Sequence, residues 1–120
     1  MEAASQLLLR SLAKLPDGPL LLINPEPDDL FRELETPDRP VRLSTGSRTV
    51  YTALRNKGAD VHYEAHPGGQ AASHVILVLP REKDRLAMLL HAASQCLERG
   101  GRLWLAGPNR AGAKSAPTTL

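Results

Sequence analysis

The chain has 120 residues, 42% of them hydrophobic, with 15 Lys and Arg against 13 Asp and Glu and a formal net charge of +2, enough apolar material for one buried core and the length of one domain. No stretch approaches the roughly 18 consecutive apolar residues of a membrane span, and an N-terminus with Glu2 and without a small-residue cleavage site is not that of a secreted precursor, so the expected location is cytoplasmic. A single cysteine, Cys96, excludes an internal disulfide, and its place in an apolar helical pattern points to a buried thiol rather than a redox or metal group.

Helix and strand patterns then alternate along the chain. Residues 3–15 set Leu7, Leu8, Leu12 and Leu15 at helical spacing, and Asp17-Gly18 closes that helix. Residues 20–23 are a short apolar run entered through Pro19 and left through Asn24-Pro25, the pattern of a strand buried on both faces. A short helix is expected over 27–35, with Pro27 in its first turn, followed by the turn Thr36-Pro37-Asp38 and a second strand over 41–44. Ser47 caps a helix over 48–57 that Gly58 ends. A poorly apolar third strand over 61–65 suits a sheet edge, and the loop His66-Pro67-Gly68-Gly69 follows it. Residues 74–79 form the most apolar run and so the central strand. A helix over 82–98 turns Leu86, Leu89, Leu90, Ala93 and Leu97 to the sheet, Gly100-Gly101 ends it, and a fifth strand runs over 102–106.

Strands separated by helices need crossover connections, which give a parallel sheet with helices on both faces: a doubly wound α/β fold. Charge is unevenly spread along it. Residues 1–38 hold 3 Lys and Arg against 8 Asp and Glu, while residues 39–120 hold 12 against 5. The basic part suits an anionic partner such as RNA, and is also what arginines scattered on solvated helix faces would give. With one Phe, one Trp and two Tyr, the composition argues against an aromatic platform for unpaired bases and favours contacts to phosphate.

The segment after residue 106 opens with Gly107-Pro108-Asn109-Arg110-Ala111-Gly112-Ala113-Lys114-Ser115. It nearly matches the phosphate-cradling loop of nucleoside triphosphatases, but Ala113 separates the second glycine from the lysine that must follow it directly, and no apolar helix comes next. A strand ending in Gly-x-Asn-Arg-x-Gly-x-Lys-Ser, after a Gly-Gly helix end and a long apolar helix, instead resembles the N-terminal domain of the ribosomal RNA small-subunit methyltransferase C family, most clearly over residues 74–116. The resemblance implies a methyltransferase-like (Rossmann-like) sheet of order 3-2-1-4-5, here truncated after strand five. It implies a parent of two such domains, the second of which moves a methyl group from S-adenosylmethionine to N2 of a guanine in small-subunit rRNA. On this reading residues 1–106 are the domain and 107–120 a loop or linker tail that begins its continuation.

A cofactor-binding domain of this class needs glycines after strand one, an acidic residue after strand two, and an Asn/Asp-Pro-Pro-aromatic motif after strand four. This sequence has Asn24-Pro25-Glu26-Pro27-Asp28-Asp29, Ser44-Thr45-Gly46 and Leu79-Pro80-Arg81-Glu82 at those places. The expectation is therefore a domain with no catalytic, cofactor-binding or metal-binding residues of its own, S-adenosylmethionine belonging to the parent's catalytic domain. His62, His66, His74 and His91 fall in separate elements without metal-ligand spacing. Asp28, Asp29 and Glu33 fit a helix first turn better than an acid/base group. Arg48, Asn109, Arg110 and Lys114 are the candidate contacts, to structured rRNA or to the C-terminal catalytic domain. Two alternatives stay open: an active domain with a degenerate cofactor loop, and a stand-alone α/β interaction domain. The strand-five edge is expected either to self-associate or to be covered by the tail.

Overall fold

The structure is a computed structural model; it describes residues 17–68 and 71–106 and the backbone of residues 115–119. The helix expected over 3–15 lies outside the described residues. β1 (Leu20–Ile23) is buried along its whole length, because it has a strand on either side and a layer on either face; burying side chains of this size contributes about 1.5–3 kcal/mol each relative to exposure. β2 (Val41–Thr45), β3 (Val61–Tyr63), β4 (Ala72–Val78) and β5 (Leu97–Ala106) run parallel to it in the order β3-β2-β1-β4-β5, the order the resemblance implied. β3 is short and sits at the edge, and β4 is interior, both as their hydropathy predicts.

The pleat sorts the core into two layers. Leu20 and Leu22 face one side with Val41, Leu43, Ile76, Val78 and Trp104, and there α1 (Leu30–Leu34) and α2 (Arg48–Asn56) bury Leu30, Phe31, Leu34 and Leu54 against them. Leu21 and Ile23 face the other side with Val75, Leu77 and Leu103, under Leu89, Ala93 and Cys96 of α3 (Lys83–Cys96). With helices on both faces the winding is double, as expected. Local signals set the helix ends where they are strong. Ser47 Oγ accepts from the Val50 amide (3.3 Å) at the start of α2. At its end Gly58 takes φ +85°, which frees the Gly58 and Ala59 amides to reach the Arg55 and Leu54 carbonyls at 3.0 and 3.1 Å. α1 starts later than residue 27, and the Asp28 carboxylate accepts from the Leu30 amide at its entrance (3.1 Å).

Besides shifts of a few residues at α1, β3 and β4, the structure departs from the sequence reading at the end of α3 and after β5. α3 stops at Cys96, and Leu97 pairs at once with Ala72, after which the register jumps and pairing resumes at His74 with Arg102. Gly100 and Gly101 serve this irregularity instead of a helix end. Gly100 has φ +82°, and a Cβ on Gly101 would stand 3.0 Å from both the Glu98 and the Ser73 carbonyl oxygens. The segment read as a tail also supplies a strand, β6 (Ser115–Thr119), antiparallel to β5 from Arg102 to Ala106. The β5 edge is therefore covered from within the chain. Among the described residues no helix is long and apolar enough to cross a membrane, and no group of three or more His, Cys, Asp or Glu is placed to hold a metal ion.

Candidate functional site at the switch point

In an open α/β sheet the chain leaves neighbouring strands in opposite directions at one place, and the crevice beyond the carboxyl ends of those strands is where ligands bind. Here the place lies between β1 and β4. Asn24, the residue after β1, occupies it with φ +59°, a left-handed conformation that Asn tolerates better than most residues. Its Nδ2 donates to the Val78 carbonyl (2.8 Å) and its amide donates to the Ser44 carbonyl (2.9 Å), so one residue ties together the ends of β1, β2 and β4. Pro25, next to it, is buried. The chain offers no glycine here through which a ligand could approach the backbone.

The loop after β2 is similarly committed. Thr45 Oγ1 accepts from the Ser47 amide (3.1 Å), Ser47 caps α2, and Ser44 Oγ donates to Glu64 (2.8 Å). Arg85, in the first turn of α3, reaches across the crevice: its Nη2 lies 2.9 Å from where a Cβ on Gly46 would be, and its Nε is buried without a hydrogen-bond partner. Glu26, Arg81, Glu82 and Arg85 line the crevice with Asn24, around a space of about 370 Å³. A guanidinium thus stands where a ribose-holding carboxylate would be needed, and guanidinium carries donors only. At the end of β4 the Leu79 amide donates to the Ala106 carbonyl (2.7 Å), joining the ends of β4 and β5. Among the described residues the crevice has neither a glycine directly after β1 nor an acid at the end of β2.

The acidic residues near α1 are used locally. Asp28 holds the helix entrance, and Asp29 pairs with Arg32 (3.4 Å) and Lys57 (3.2 Å). Of the histidines, His62 lies 3.2 Å from Asp60 on the edge strand, and His74 is buried in β4. Cys96, the last residue of α3, lies in the core, where burial holds its thiol pKa above the ordinary range; Arg42 lowers it by less than burial raises it. Arg48 is exposed at the first position of α2. Asn109, Arg110 and Lys114 lie outside the described residues. Sequence reasoning missed Asn24 and Arg85. A signal existed for Asn24, since Asn before Pro after an apolar run marks a turn. For Arg85 none did, because its role comes from a contact across the crevice.

A family model described as methyltransferase small domain N-terminal matches residues 5–120. Among curated relatives, a "Ribosomal RNA small subunit methyltransferase C" from Marinomonas sp. is 34% identical over 129 residues, and one from Pseudoalteromonas atlantica is 32% identical over 127. Both alignments cover 100% of this chain but only 35% and 36% of the relatives, so the chain spans about a third of their length. Among solved structures, a T. thermophilus 16S rRNA methyltransferase (RsmC), determined with AdoMet and guanosine, matches with TM-score 0.70 and 27% identity over 88% of this chain and 29% of its own. The glycopeptide N-methyltransferase MtfA matches with TM-score 0.70 and 16% identity over 88% of this chain and 53% of its own, a likeness of fold alone.

Proposed function

Since this chain belongs to the methyltransferase small domain N-terminal family, we propose that it is the non-catalytic N-terminal domain of an rRNA guanine-N2 methyltransferase, supporting a catalytic domain and helping it hold structured rRNA. The observation that carries this reading is Arg85 lying against Gly46 across a crevice whose switch point Asn24 already fills. Such a site lacks the acid at the end of β2 and the glycine access to the backbone by which folds of this kind hold S-adenosylmethionine, so on this reading the cofactor belongs to the rest of the parent protein. The partners are that catalytic domain and small-subunit rRNA, with Arg48, Asn109, Arg110 and Lys114 as the contacts.

Calorimetry with S-adenosylmethionine tests the first half of the proposal: no heat of binding is expected. A dissociation constant below about 100 μM, roughly 5.5 kcal/mol of affinity, would overturn it and favour an active domain with a degenerate loop. RNA retention tests the second half. Three phosphate contacts from Arg48, Arg110 and Lys114 would give a log–log salt slope near −2 to −3, with little preference among sequences. Arg110→Glu combined with Lys114→Glu should weaken different structured RNAs about equally; unchanged retention at low salt would move these residues to the contact with the catalytic domain.

A further inference from the structure

Both tyrosines of the chain meet at one place. Tyr51 on α2 and Tyr63 at the end of β3 approach with ring centroids 5.8 Å apart and planes tilted by 39°. Tyr63 is 54% exposed and is the one large hydrophobic side chain that is exposed among the described residues. Arg55 lies over the Tyr51 ring, with its guanidinium carbon 5.8 Å from the centroid, and donates to the Tyr51 hydroxyl (2.8 Å). Arg48, Thr52 and Asn56 complete the rim of a depression of about 390 Å³.

The charge around this aromatic pair is one-sided. Among the described residues no carboxylate forms an ion pair with Arg48 or Arg55. The nearest acid along the strand, Glu64, lies on the opposite face of the sheet, where Ser44 Oγ holds it. The residue at the first position of α2 is a cation, at the helix end that disfavours one, and the first turn contains no acid. An exposed ring beside two uncompensated guanidinium groups, with Thr and Asn side chains on the rim, offers a stacking surface together with phosphate contacts. That combination matches one nucleotide of a single strand, base on ring and phosphate on arginine.

We infer that the Tyr51–Tyr63 pair, with Arg48 and Arg55, is a stacking site for an unpaired nucleotide of the RNA, resting on the reading that this domain contacts RNA. The scarcity of aromatic residues argued against stacking from composition, but the fold collects half of them on one surface. Tyr63 supplies the ring, Arg48 and Arg55 the phosphate contacts, and among the described residues no further strand lies beyond β3.

The test is binding of the full chain to a short unstructured oligonucleotide, to the same length of abasic backbone and to a blunt hairpin, followed by fluorescence anisotropy at low salt. Tyr63→Ala should weaken the single strand by roughly 5- to 100-fold and leave the abasic backbone unaffected, while Tyr63→Phe, which keeps the ring, should bind like the wild type. Arg48→Ala with Arg55→Ala, both at exposed positions, should reduce the single-strand salt slope by about 1.4 and tests the site even if Tyr63→Ala is poorly folded. Wild-type binding that is indifferent to Tyr63→Ala and to the arginine pair overturns the stacking site alone and leaves the patch for a protein partner. Absence of binding to any RNA by the wild type overturns the RNA-contact reading and the site with it.

Discussion

At the scale of single residues, Asn24 does what a ligand would otherwise do, because its side chain links the ends of β1 and β4 at the switch point. Asn24→Ala removes that hydrogen bond and places a Cβ residue without a local hydrogen-bonding side chain in the left-handed region. The first effect costs about 1 kcal/mol and the second about 1–2 kcal/mol. Asn24→Gly should lose only the first. Urea midpoints should therefore fall in the order wild type, Asn24→Gly, Asn24→Ala, and equal midpoints for the two variants would refute the conformational part. Cys96 allows a second prediction. Burial raises its thiol pKa, so the folded chain holds that proton more tightly than the unfolded one. Its contribution is complete below the unfolded value of 9.0 and is lost as pH rises through the higher folded value. The stability difference between wild type and Cys96→Ala should thus narrow as pH rises above the ordinary thiol value, and a constant difference would contradict the buried thiol. Cys96 was legible from its spacing on the helix, since burial of an apolar face needs only periodicity. Arg85 was not, since its meaning depends on Gly46, 39 positions away in the chain.

At the scale of elements, what the sequence reveals depends on whether the signal is local. Ser47 and Gly58 bracket α2 because a hydroxyl cap and a left-handed glycine act within one turn, and both ends fall within a residue of expectation. The end of α3 is set by a distant partner: Leu97 joins β4 through Ala72, so the helix stops before Gly100 and Gly101. Predictions separate the two cases. Ser47→Ala should cost about 1 kcal/mol through the lost cap. Gly58→Ala meets no atom within 4 Å and should cost about 1–2 kcal/mol from backbone strain alone. Gly101→Ala forces a Cβ against two backbone oxygens, so the irregular pairing of β4 and β5 must shift, and its thermal midpoint should fall at least as far as that of Gly58→Ala. A Gly101→Ala midpoint at the wild-type value would mean that the register jump has more room than the structure gives it.

At the scale of the whole molecule, the two edges of the five parallel strands are protected by different means. β3 is only three residues long, with His62 and Tyr63 exposed, and a strand so short offers little for another chain to pair with. β5 is long and carries Leu103, Trp104 and Leu105 in succession, and its outer hydrogen-bonding groups are taken by β6 over five residue pairs from Arg102–Thr119 to Ala106–Ser115. Hydropathy made β5 legible as a strand. β6 escaped notice because Ser115-Ala116-Pro117-Thr118-Thr119 has the composition of a loop, and a proline at an outer edge position is tolerated where the amide it lacks would face away from the sheet. Removing residues 115–120 should therefore leave β5 as an unpaired apolar edge without disturbing β1, β2, β3 or β4. The truncated chain should self-associate in a concentration-dependent way in sedimentation velocity while its far-ultraviolet circular dichroism still reports the parallel sheet. The intact chain should sediment as a smaller species at the same concentration. A truncated chain that stays monomeric at about 100 μM, with the urea midpoint of the intact one, would show that β6 contributes neither edge protection nor stability.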